Sequence, residues 1–385
     1  MRFPEFAGEW EEVRLKDICT ISKGAGISKD QLSIDGTPCI LYGELYTKYK
    51  SEVVRDVFSR TNICDSNLVR SKANDVIIPS SGESAVDIAT ARCIPYDGVL
   101  LGGDLNIIRL SEQNGIFFSY QLNGARKREI AKVAQGVSVV HLYGENLKNL
   151  TVFYPLKAEQ DKIARFLSLI DERIATQNKI IAHLESLIKG LSQIIFENNA
   201  GWEESTISEV ASVVSGGTPD TSIPSFWGGD INWFTPSEIG RAKYVNSSNR
   251  TITEKGLKNS SAKLLPPNSL LLSTRATIGE CSICQSTCTT NQGFQSLVAT
   301  HVDYEFLFYF MRTKKSELIK KASGSTFSEI SANEVKRLKI FIPTINTQKQ
   351  IANLLKSVDE KITIETKVLS AYNLQKQTLL QRLFI

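Results

Sequence analysis

The sequence lacks the features that would mark a membrane protein, a stapled secreted domain or a self-contained enzyme. No apolar run approaches the roughly 18 residues that a bilayer crossing needs, and the opening MRFPEFAGEWEEV lacks the basic-then-apolar order of a secretory signal. A cytoplasmic chain with no membrane partner is expected. Seven cysteines, an odd number, are scattered along 385 residues, so reduced thiols are expected. Charge of one sign is scarce: 45 Lys and Arg against 41 Asp and Glu give a net +4, which permits a nucleic-acid partner without demonstrating one. Histidine occurs only as His141, His183 and His301, leaving little imidazole for acid–base chemistry. The sequence contains no GxxxxGK[ST] phosphate loop, GxGxxG turn, HExxH metal motif or GxSxG nucleophile turn, and no [ND]PP[YF] adenine-methylation motif. Cys281, Cys284 and Cys288 could offer three thiolates to zinc with His301 as a fourth ligand, but no second pair follows. Residues 278–290 read more easily as a β-hairpin with small buried side chains. Neither catalysis nor a metal or other cofactor is expected of this chain.

The sequence does contain a repeat. Trp10-Glu11-Glu12 recurs as Trp202-Glu203-Glu204, and Gln160, Ile163, Ala164, Asp171, Glu172 and Ile174 recur as Gln348, Ile351, Ala352, Asp359, Glu360 and Ile362. Between these landmarks Gly136, Leu147, Lys148, Leu150 and Pro155 match Gly324, Val335, Lys336, Leu338 and Pro343. The period far exceeds the roughly 20 to 50 residues of stacking repeats, so two copies of one domain are expected. Each copy opens with β-branched and aromatic segments broken by Gly, Pro, Asn and Ser, which predicts strands at residues 76–78, 107–110, 231–234 and 270–272. Helical stretches over 117–134 and 304–322 follow, making the globular parts mixed α and β.

After Pro155 and Pro343 the period changes to a heptad. Ile163, Leu167, Ile170, Ile174, Ile181, Leu184, Ile188, Leu191 and Ile195 are spaced alternately by four and three, with Gln177 the one polar interruption. Ile351, Leu355, Val358, Ile362, Leu369, Tyr372, Leu379 and Leu383 repeat the frame, with Glu365 and Lys376 interrupting it. These seams predict helices over 159–198 and 348–384, each roughly 55 to 60 Å long. Two like domains associate readily about an approximate two-fold axis, which would pair the helices as an antiparallel coiled coil; the competing arrangement folds each onto its own domain. The expected organisation is a domain over 1–155, a helical spacer over 156–200, a second domain over 201–343 and a second spacer over 344–385.

Polar loops beside basic helices occur twice. Arg126, Lys127, Arg128 and Lys132 precede Gly136 and Ser138, while Lys314, Lys315, Lys320 and Lys321 precede Gly324, Ser325 and Thr326. A solvated helix face explains either cluster alone, whereas recurrence beside matched loops favours phosphate contact. Other loops fall at matched places with different residues: Ser22-Lys23-Gly24-Ala25-Gly26 against Ser215-Gly216-Gly217-Thr218-Pro219, Tyr42-Gly43-Glu44 against Thr235-Pro236-Ser237-Glu238 near Trp233, and Ser80-Ser81-Gly82 against Ser273-Thr274-Arg275. Two readers of different short sequences on one scaffold would show this, because base specificity resides in the side chains that reach the groove. Arg275 is read as either a bidentate guanine contact or a structural salt bridge.

The order of Trp202-Glu203-Glu204, GGTP from Gly216, FWGGDINWFTPSEI from Phe226, STRATIG from Ser273, NQGF from Asn291, GST from Gly324 and PxxxxQxxI from Pro343 resembles the specificity (S) subunits of type I restriction-modification systems. The likeness covers essentially the whole chain, although the first copy departs at GGTP, FWGG and TRATIG. The resemblance implies two target-recognition domains separated by antiparallel helices, and a bipartite, asymmetric double-stranded DNA target methylated on adenine. It further implies docking of two methyltransferase and two motor/nuclease subunits. S-adenosylmethionine, ATP and magnesium would belong to those partners. The competing readings are an orphan DNA-binding scaffold and a self-contained methyltransferase or nuclease with divergent motifs.

Overall fold

Each copy of the repeat closes on itself through its first and last strands. Glu11–Arg14 pairs antiparallel with Thr151–Tyr154, and Glu203–Thr206 pairs in the same way with Lys339–Ile342. The tryptophan before each first strand turns inward: Trp10 packs 5.7 Å from Phe117, and Trp202 packs 6.1 Å from Phe306. The computed structural model describes residues 2–136, 138–322 and 329–384. The chain forms two units, one of Met1–Lys179 with Thr366–Ile385 and the other of Ile180–Glu365. In chain order these are unit 1 and unit 2.

Unit 1 holds an antiparallel sheet in the order Cys19–Lys23, Leu105–Leu110, Asp75–Pro79, Arg92–Ile94. A second sheet runs Leu32–Ser33, Ser59–Thr61, Thr37–Ile40, Leu100–Leu101, its last pair parallel. Unit 2 repeats the plan: a sheet ordered Ala211–Ser215, Gln295–Ala299, Leu270–Leu272, Cys281–Cys284, Tyr244–Val245, and a smaller one of Arg250–Ile252, Trp227–Phe234, Cys288–Thr290. The four predicted strands all form. The predicted hairpin over 278–290 does not: Cys281–Cys284 and Cys288–Thr290 belong to different sheets and do not pair with each other. Cys281 packs into one apolar cluster and Cys284 with Cys288 into another, while His301 is exposed. The predicted helical stretches are each broken in two, as Gly115–Asn123 with Lys127–Lys132 and Tyr304–Thr313 with Lys315–Lys321. At Gly124 the break leaves room for the Leu380 carbonyl, which lies 2.8 Å from where a Cβ would stand.

The long helices span Lys157–Glu197, 41 residues, and Ile345–Arg382, 38 residues. All seventeen heptad residues are at least half-buried. Ile163, Leu167, Ile170, Ile188, Leu355, Leu379 and Leu383 are buried, and Ile174, Ile181, Leu184, Leu191, Ile195, Ile351, Val358, Ile362, Leu369 and Tyr372 are half-buried. In unit 1, Lys376 meets Asp171, and Leu379, Leu383 and Phe384 beyond it join Ile163, Ala164 and Leu167, so the two helices run antiparallel there. In unit 2, Ile188, Leu191 and Ile195 join Ile351, Ala352, Leu355 and Val358. Each unit therefore contains a length of both helices, and the unit boundary cuts across them; residues 156–200 and 344–385 are not bodies of their own.

Two repeat landmarks fasten the helices to the globular parts. Gln160, 2% exposed, donates to the Pro155 carbonyl at 2.9 Å and accepts from the Asn114 backbone at 2.9 Å. Gln348 does the same with Pro343 at 2.9 Å and Asp303 at 2.8 Å. Asn114 and Asp303 cap the following helices, so one glutamine joins two helix starts. Asp171 accepts from the Tyr120 hydroxyl at 2.7 Å, and Asp359 from Tyr309 at 2.8 Å. Lys376, which interrupts the seam in sequence, turns inward within unit 1 and ion-pairs with buried Glu52 at 2.5 Å and Asp171 at 2.6 Å.

Candidate nucleic-acid interface

In unit 2 four loops distant in sequence meet at one end of the sheets. The Gly293 Cβ position lies 3.1 Å from the Pro236 ring and 3.6 Å from Arg275 Cβ. The Thr274 backbone donates to the Gly293 carbonyl at 2.8 Å, and the Thr277 hydroxyl to the Pro236 carbonyl at 3.3 Å. Thr218 donates its hydroxyl to Gln292, which brings the loop after Ala211–Ser215 to the same place. The sequence folds this way because Gly216 through Thr218, Thr235 through Glu238, Thr274 through Thr277 and Asn291 through Gly293 all follow or join strands at one end. Thr235 caps its own turn: its hydroxyl donates to Glu238 at 2.6 Å, and the same carboxylate accepts from its backbone at 2.8 Å. Ser237, Ala276, Thr277 and Gln292 remain exposed.

Unit 1 brings matched loops together in the same way. Ala25 donates its backbone N–H to the Leu101 carbonyl at 3.0 Å, Gly102 to Ile40 at 2.9 Å, and Ser80 to Asp104 at 2.8 Å. Gly24 and Gly217 are required inside these loop junctions. A Cβ on Gly24 would stand 2.0 Å from the Gly102 carbonyl, and one on Gly217 would stand 2.3 Å from the Ala262 nitrogen. The unit 1 loops enclose a cavity of about 930 Å³, whose lining includes Lys29, Tyr42, Glu44 and Asp104. Glu44 is held by the Leu41 N–H at 3.0 Å and by Lys48 and Ser59 at 2.5 Å each.

Among families of known proteins, the type I restriction modification DNA specificity domain matches residues 7–186 and again residues 199–371. The chain belongs to this family. The MjaIX type I restriction enzyme specificity subunit of Methanocaldococcus jannaschii is 37% identical over 171 residues, 43% of this chain and 40% of that relative. The EcoR124I/EcoR124II specificity subunit of Escherichia coli is 28% identical over 171 residues, 42% of each chain. Those alignments thus span about two fifths of the relatives' lengths. The putative MjaX specificity subunit of M. jannaschii is 23% identical over 393 residues, covering 94% of this chain and 90% of the relative. Among solved structures, the S subunit of a type I restriction-modification system from M. genitalium shares the fold, with a TM-score of 0.63 at 16% identity over 100% of this chain and 99% of that one.

Within this family frame, the residues singled out in sequence divide sharply by exposure. Lys23, Arg128, Lys132, Gly136, Ser138, Ser237 and Lys320 are exposed, and Gly24, Tyr42 and Thr218 are half-buried. Ser80 and Ser81 are 4% and 7% exposed, Ser81 inside a strand pair with His141, so neither offers its hydroxyl to a partner. Thr274 is 0% exposed and Gly217 is buried. Trp233, 4% exposed, donates its indole N–H to the Gly217 carbonyl at 2.9 Å and supports the loop from beneath. Arg275 takes the salt-bridge role, pairing with Glu329. Lys127 turns inward to within 3.5 Å of the Thr90 hydroxyl, and burial lowers its affinity for a proton. Lys314 and Lys315 are paired with Glu317 and Glu280. Gly324, Ser325 and Thr326 lie outside the described residues. Sequence reading passed over Arg250, stacked on Trp227, whose signal would have been an arginine one strand away from two tryptophans. Among the described residues there is no group of three or more His, Cys, Asp or Glu that could hold a metal ion. No described helix is long and apolar enough to cross a membrane.

Proposed function

We propose that this chain is the DNA-recognition subunit of a type I restriction-modification complex, reading a bipartite, asymmetric duplex target with units 1 and 2. The observation that carries the reading is the pair of loop junctions: equivalent in backbone, different in side chains, and each in a unit that also carries a basic helix. Equivalent placement gives two readers of one design, and different side chains give two different half-sites. The methyltransferase and motor/nuclease subunits, two of each, dock on the outward faces of the long helices and bring S-adenosylmethionine, ATP and magnesium with them. The chain itself contributes recognition and no chemistry, and works in the cytoplasm.

Co-expression with the methyltransferase subunit, followed by sequencing of methylated adenines, tests this. A split motif with unlike halves, present only when this chain is present, is the expected result. Methyl transfer by the purified chain alone, from a labelled donor, would overturn it.

A further inference from the structure

Near the unit 2 loops Arg275 pairs with Glu329, whereas the exposed Arg241 and Arg250 meet no carboxylate among the described residues, and of these two Arg250 is the one that lies over aromatic rings. It is held instead by rings. Its Cζ lies 3.6 Å from the Trp227 ring centre, the separation of a parallel stack, and 5.5 Å from that of Trp233. The rings are themselves fixed: they meet edge to face at 5.0 Å, and their N–H groups donate to the Asp220 carbonyl at 3.1 Å and the Gly217 carbonyl at 2.9 Å. Both acceptors flank Thr218, so the platform is part of the loop junction. A guanidinium lying flat on an indole directs its N–H groups outward from the ring edge, with its orientation already set.

The device belongs to one unit. Asn291 donates to the Phe234 carbonyl as Gly102 donates to Ile40, which aligns Phe234 with Ile40. The strand registers then place Cys39 where Trp233 stands and Ser59 where Arg250 stands. Ser59 is buried and bonded to Glu44.

We propose that Arg250 is a specificity-determining residue that donates bidentately to O6 and N7 of a guanine in the half-site read by unit 2. The proposal rests on the function given above. A phosphate can take a fork but is served as well by a point charge such as exposed Lys320 in this unit. A guanine edge demands a fork held in its own plane, and that is what the indole stack provides.

The test uses the full chain with the methyltransferase subunit, comparing methylated motifs for the natural chain, Arg250→Ala and Arg250→Lys, with thermal unfolding measured alongside. One guanine position in one half should relax in both variants, discrimination there falling about 5- to 150-fold, while the other half stays as it was. Lysine keeps the charge but not the fork, so its failure to restore discrimination is the diagnostic result. Because it preserves charge and bulk, it carries the test even if the alanine variant does not fold. A uniform loss over all sequences that lysine restores, an unchanged motif, or a change in both halves would each overturn the assignment. A natural chain that directs no methylation at all would overturn the reading of the whole protein, and this proposal with it.

Discussion

Arg128 and Lys132 stand four apart on the helix Lys127–Lys132, exposed and without an ion-pair partner among the described residues. Their neighbours in the same cluster are engaged: Arg126 with Glu129 and over the Phe153 ring, Lys127 beneath Thr90. An unpaired cation pair on one helix face suits phosphates, since nothing has to be broken to make the contact. Arg128→Ala with Lys132→Ala should weaken DNA binding equally for all sequences and reduce the slope of log affinity against log salt by about 2. Titration of the complex at several salt concentrations measures this. Lys314→Ala with Lys315→Ala should change the slope less, because Glu317 and Glu280 already neutralise those lysines.

At the scale of elements, charge clusters fix the long helices to the sheets. Glu305, 6% exposed, accepts from Tyr244 and from Lys356 at 3.2 Å, with Lys243 at 3.6 Å. Burial pushes its carboxyl up, but the Tyr244 hydrogen bond and the two ammoniums outweigh it and hold the group below its usual 4.5. A depressed carboxyl stabilises the fold above the unfolded value and loses that contribution as pH falls through the folded one. Lys356→Met should therefore cost on the order of 1 kcal/mol at neutral pH, the lysine being more than a third exposed. Acid unfolding, followed by tryptophan fluorescence, should begin at a higher pH than in the natural chain. The difference should fade once Glu305 is protonated in both.

The whole molecule is two units, each completed by the ends of two helices. Phe384 packs 5.2 Å from Phe117 in unit 1, and Phe196 packs 5.2 Å from Phe306 in unit 2. Leu191, Ile195 and Phe196 repeat as Leu379, Leu383 and Phe384 at the 188-residue spacing that relates Gln160 to Gln348. A fragment of residues 1–200 keeps a whole reader but loses Leu379, Leu383 and Phe384, leaving part of the unit 1 core uncovered. Its own Leu191, Ile195 and Phe196 can cover that face on a second copy. Light scattering should show a dimer. With methyltransferase, the dimer should modify a palindromic, interrupted site, because both of its readers are identical. A folded monomer that leaves DNA unmodified would contradict the helix exchange.

Period and repetition determined the architecture from the sequence alone. A 3.5-residue spacing over nine positions can be satisfied only by a helix with one covered face, and landmarks recurring in order can only mean two copies of a fold. The PxxxxQ landmarks were visible in the same way, although their role as a tie between two helix starts needed the coordinates. The recognition residues were less legible, because sequence marks a loop as polar without saying which way its side chains turn. Ser80, Ser81 and Thr274 look like a reading surface and are buried, their loops being closed by backbone bonds to neighbouring loops. Arg275 and Arg250 are alike as letters. Only the tertiary structure sets one beside Glu329, where a carboxylate engages it, and the other on Trp227, where a ring orients it and leaves its donors free for a ligand.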